Sequence, residues 1–70
     1  MSYAPAALLA AAEAAGDRTP ADMARRMRVP YLAVYRWATG RNAPSPAGLA
    51  AIERTYGLTP ADLLHEESAA

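Results

Sequence analysis

Six arginines, Arg18, Arg25, Arg26, Arg28, Arg36 and Arg41, fall between residues 18 and 41, and in that stretch only Asp22 opposes them. A guanidinium is permanently charged and presents a planar fork of donors, which suits it to phosphate oxygens and to the O6/N7 edge of guanine. The other acidic groups lie outside it: Glu13 and Asp17 precede it and Glu53, Asp62, Glu66 and Glu67 load the C-terminal part, so that with Arg54 the net charge is zero. The chain is polarised rather than basic. Arginines scattered over a solvated surface are the alternative reading of the same residues.

Other chemistry has little to build on. The absence of cysteine excludes disulfides, thiolate zinc sites and cysteine nucleophiles. His65 is the only histidine and stands beside Glu66 and Glu67 at the predicted end of the last helix. One imidazole with two adjacent carboxylates lacks the convergence that a metal or acid–base site needs. Ser2, Ser45 and Ser68 have no base in reach along the sequence, and no glycine-rich loop could cradle a phosphate. The expectation is a protein that is not an enzyme and has no cofactor, metal or small-molecule substrate.

Proline and glycine punctuate the chain that must position the arginines. Proline suits the first position of a helix, where its missing N–H is not needed and its φ is already helical. Pro5, Pro20, Pro30, Pro46 and Pro60 therefore predict helices over about 5–15, 20–27, 30–39, 46–56 and 60–66. Thr19, Ser45 and Thr59 precede three of them as caps, and in both Thr-Pro-Ala-Asp tetrapeptides the aspartate can return the bond. Gly16, Gly40 and Gly57 each follow a helical run as stops. No stretch alternates long enough for a strand. Five helices make an all-α fold in a single domain, 1–70, near the lower size limit for one core.

The alanine-rich start lacks a basic n-region, is interrupted by Glu13 and is too short in its apolar run to span a bilayer. It reads as a helix, with no membrane segment and a cytoplasmic location expected. Helical spacing assigns Leu8, Leu9, Ala12, Met23, Ala24, Met27, Val34, Trp37, Leu49, Ile52, Tyr56, Leu58 and Leu63 to the core. That core is thin, so a modestly stable monomer is expected.

Residues 19–40 have helix-turn-helix spacing: a short helix, a tight turn at Arg28-Val29, and a second helix that ends at Gly40. The first helix braces the second, which can then project into a major groove about 12 Å wide. Ala24 permits the close crossing and Val29 plugs the turn.

With Met23-Ala24, Val29, Val34, Trp37, Gly40 and Pro44, then Leu49, Ile52, Tyr56, Gly57 and Leu58, then Pro60-Ala61-Asp62-Leu63-Leu64, the chain resembles the Cro/phage-repressor helix-turn-helix family from about Leu8 to Leu64. The resemblance implies a lambda-repressor-like five-helix domain that binds operator DNA, usually as a homodimer on a palindromic site. Pro20, Tyr31, Leu32 and Ala38 stand where many members carry glutamines or a glutamate, so the usual polar code is missing.

At 100° per residue, Val34, Trp37 and Ala38 on the third helix face inward, and Leu32 and Arg36 lie on the opposite side. Tyr35 and Thr39 flank them on one edge and Ala33 on the other. The base-reading candidates are Tyr31, Leu32, Ala33, Tyr35 and Arg36. Arg36 can bond guanine or only a phosphate, Leu32 and Ala33 can meet a thymine methyl, and Tyr35 can reach a phosphate or a base edge. Tyr31 reads equally as a half-buried ring. Arg18, Thr19, Arg28, Thr39 and Arg41 are the phosphate-binding candidates, helped by the free amides at the start of the second helix.

Leu64 is either a homodimer contact or a core residue. The main expectation is a sequence-specific regulator, of Cro or repressor type, with double-stranded DNA as its partner. A protein-interaction module or an antitoxin of the same fold is the alternative, and apolar surface left on the first and fifth helices would favour it.

Overall fold

The computed structural model describes residues 2–65. Its helices are α1 (Ala6–Ala14), α2 (Pro20–Met27), α3 (Tyr31–Ala38), α4 (Pro46–Tyr56) and α5 (Pro60–Leu63). The fold is all-α, as composition and punctuation predict. None of the helices is long and apolar enough to cross a membrane.

Caps fix the helix starts. Thr19, Ser45 and Thr59 accept from the N–H groups of Asp22, Gly48 and Asp62, and each is followed by a proline at the first helical position. In α5 the bond is reciprocal: the Asp62 carboxylate accepts from the Thr59 N–H at 2.8 Å. In α2 it is displaced by one residue, because Asp22 accepts from the Arg18 N–H instead, at 3.2 Å. Pro5 and Pro30 stand one residue earlier than expected, at the N-cap positions of α1 and α3, where their carbonyls accept the first helical bonds.

Gly16, Gly40 and Gly57 all have positive φ, as residues that stop helices should. Arg28 does the same work without being glycine. It ends α2 at φ 60°, and its N–H and that of Val29 both return to the Ala24 carbonyl.

Leu8, Met23, Met27, Val34, Ile52 and Leu63 are fully buried, with Ala12, Ala24 and Trp37 completing the centre. Leu49, Tyr56, Leu58 and Val29 pack against it half-buried. Leu9 departs from the expectation. It lies 100° around α1 from Leu8 and is 42% exposed in an open groove with Ala12, Pro20 and Met23, because the stripe α1 buries is only wide enough for Leu8 and Ala12.

Both ends of the described chain also differ from expectation. Residues Ser2–Tyr3 (β1) and Leu64–His65 (β2) form an antiparallel pair with Tyr3 opposite Leu64. Two-residue strands are too short to show alternation in a sequence, which is why none was expected. The last helix ends at Leu63 rather than near residue 66: once Leu63 is buried, Leu64 turns extended (φ −107°, ψ 132°) to meet Tyr3. The backbone of His65 is therefore in a strand and not at a helix end. Glu66, Glu67 and Ser68, named in the sequence reading, lie outside the described residues.

Candidate nucleic-acid interface

α2 and α3 are joined by the three residues 28–30 and pack closely on one another. α2 is strongly two-faced. Met23, Ala24 and Met27 point inward, while Arg25 and Arg26 stay exposed. Val34 and Trp37 hold α3 from behind. This leaves Tyr31, Leu32, Tyr35 and Arg36 on its open face, at 51%, 52% and 37% exposure for the three apolar or aromatic residues.

The Tyr31 ring lies outside the core and is stacked on Tyr35, with centroids 6.1 Å apart. Ala33 does not share the open face as expected. It is half-buried against the core, since four residues of helix place it about 40° from Trp37.

The arginines divide into two groups. Arg25 pairs with Asp22, and Arg26 donates from Nε to Asp17 at 2.6 Å. Among the described residues, Arg18, Arg28, Arg36, Arg41 and Arg54 have no carboxylate partner. Arg36 and Arg41 are drawn together at the C-terminal end of α3, where the Arg41 N–H donates to the Arg36 carbonyl at 2.9 Å. Asn42 donates to the same oxygen at 3.3 Å, so the loop is wrapped back onto the helix. The Thr39 hydroxyl caps this turn through the Tyr35 carbonyl at 2.8 Å. Arg28 stands at the opposite end, fixed by its left-handed backbone. Eight residues make α3 about 12 Å long, and exposed arginines stand at both of its ends.

Arg18 and Thr19 lie elsewhere, on the rim of the Leu9 groove between α1 and α2. The Thr19 hydroxyl is occupied as a cap, and the Asp22 carboxylate sits at the start of α2. The Arg18 amide that donates to it holds the Asp22 carboxyl below the ordinary carboxylate range. A helix start already served by a carboxylate repels a second anion, which weakens the phosphate expectation at this end. Leu64 is half-buried in the strand pair and retains only part of the apolar surface that a dimer contact would use.

Two residues that steady α3 or its brace were missed from sequence. Asp17 is buried and accepts from Arg26 and, at 2.7 Å, from the Tyr56 hydroxyl, tying the α1–α2 loop to α2 and α4. The Arg26 bond keeps the Asp17 carboxyl ionised below its usual range, and burial, then the bond to Asp17, push the Tyr56 phenol up. Tyr3 donates to the Trp37 carbonyl at 2.7 Å, and burial raises its pKa to about 12. Neither residue carries a local pattern; the only signal for Asp17 is an acidic side chain just past the helix stop at Gly16.

No family model, curated protein or solved structure matches this chain.

Proposed function

We propose that this domain binds double-stranded DNA sequence-selectively, as a transcriptional regulator, with α3 lying in the major groove. One observation carries the reading: the open face of α3 bears Arg36, which has no carboxylate partner among the described residues, the Arg41 backbone N–H is tethered to the Arg36 carbonyl, and α2 braces the helix across a three-residue turn. A rigid helix backed by packing and with exposed arginines at both ends meets the geometric and electrostatic needs of groove binding. Arg36 reads a base edge, and Arg28 and Arg41 contact the backbone. Similarity to Cro and phage repressors, read from the sequence, points the same way and adds the expectation of a homodimer on a palindromic site.

The test is binding of the purified chain to a duplex enriched from a randomised pool, against a scrambled duplex, at two salt concentrations. Selective binding that Arg36→Ala abolishes supports the proposal. Equal, weak binding to both duplexes refutes it.

One observation favours a second reading, a protein-interaction module. Leu9 is 42% exposed in a groove of about 600 Å³ between α1 and the start of α2, away from the α3 face.

A further inference from the structure

Two rows of side chains run along the open face of α3, Tyr31 with Tyr35 and Leu32 with Arg36, each spaced i, i+4 and so adjacent on the helix surface. The stacked rings of the first row form a wall beside the second. Leu32, at 52% exposure, is the most exposed large apolar side chain among the described residues. It does not contribute to the core, and its place one turn before Arg36 makes it part of the same surface.

The chemistry available to this face is narrow. Adenine is read in the major groove by a side-chain amide that donates and accepts at once, and α3 contains neither asparagine nor glutamine. It offers one bidentate donor, Arg36, which suits guanine, and a leucine bordered by aromatic rings. The only apolar feature of the major groove is the methyl group on C5 of a pyrimidine.

On the DNA-binding reading above, we infer that α3 selects a pyrimidine 5-methyl group close to a guanine, Leu32 packing on the methyl between the tyrosine wall and Arg36. Four residues of helix advance about 6 Å, and base pairs are spaced about 3.4 Å apart. The methyl therefore lies within two steps of the guanine. Thymine and 5-methylcytosine carry this methyl at the same place, and the chemistry of the contact is common to both.

The experiment begins with selection by the 70-residue chain from a randomised duplex pool, made once with cytosine and once with 5-methylcytosine. The enriched duplexes are then remade with deoxyuridine for each thymidine in turn, which removes one methyl and leaves the hydrogen bonds unchanged. Thymine as the source predicts that one such replacement near a guanine weakens binding about fourfold, the equivalent of ~0.8 kcal/mol for one buried CH₂ group. 5-Methylcytosine as the source predicts a gain of similar size at one methylated cytosine instead. In either case Leu32→Ala, at an exposed position, keeps its helical circular dichroism and binds methylated and unmethylated duplexes alike.

If binding is selective and depends on Arg36 but ignores both methyl sources, the inference is overturned and the DNA-binding reading stands. If no selective binding is found, both fall.

Discussion

The phenol of Tyr3 donates to the carbonyl oxygen of Trp37 at 2.7 Å, so a residue of β1 satisfies a backbone acceptor in the last turn of α3. Tyr3→Phe removes the donor and leaves the ring. It should cost about 1 kcal/mol, a fall of roughly 4–8 °C in Tm for a domain of this size, measured by thermal circular dichroism.

Burial of the same phenol sets the alkaline limit. The Tyr3 pKa is raised from an ordinary 10.0 to about 12, and Tyr56 is raised as well. A raised folded-state pKa means stabilisation that is complete below the unfolded value and lost as pH climbs through the folded one. Urea midpoints should therefore decline between about pH 10 and 12, and the decline should be shallower in a Tyr3→Phe, Tyr56→Phe double variant.

Asp17 governs the acid side. Its folded pKa lies below the ordinary 3.8 because Arg26 is bonded to the carboxylate. The stabilisation is present above that ordinary value and is lost as pH falls through the lowered one. Asp17→Asn should lower stability by about 1–2 kcal/mol at neutral pH, with the solvent-exposed side of Arg26 limiting the loss. It should also flatten the acid limb of a pH series of urea melts.

Gly48 lies against the Trp37 ring, and a Cβ placed there would come within 2.6 Å of Cζ2 and 2.7 Å of Cη2. Gly48→Ala gains about 1 kcal/mol in helix propensity, but overpacking a buried aromatic costs about 1–3 kcal/mol. The net result should be destabilisation with a changed emission spectrum, read from Trp37 as the only tryptophan.

Arg28 separates binding from folding. Arg28→Gly relieves a left-handed backbone at φ 60°, and the glycine's own entropy offsets the relief, so stability should move by less than about 1 kcal/mol. If Arg28 meets a phosphate, the variant binds DNA more weakly and the slope of log affinity against log salt falls by about 0.9. An unchanged slope removes Arg28 from the interface.

Much of the frame could be read because its signals are local. Thr-Pro, Ser-Pro and the three glycines mark where helices begin and end within a few residues, and Val34 with Trp37 fixes the rotational phase of α3 and hence its open face. What escaped depends on partners far along the chain. Tyr3 meets Trp37 across 34 residues and Tyr56 meets Asp17 across 39, and no periodicity encodes such pairs. Leu8 and Leu9 are adjacent in an alanine-rich helix that gives the pattern no phase, so the sequence could not say which would face outward. Tyr31 sat on the border between faces, and its stack on Tyr35 is a contact the spacing alone did not indicate.

The pairing of β1 with β2 also bears on the order of assembly. Ser2 meets His65 across almost the whole described chain, whereas α2 and α3 are neighbours in sequence and can dock as soon as both exist. Contacts at great sequence separation carry the largest loop-closure cost and tend to form late. During synthesis β1 has to wait for all five helices before its partner strand exists, so the ladder that carries Tyr3 closes after them, and a nascent chain that already has its helix pair still lacks it.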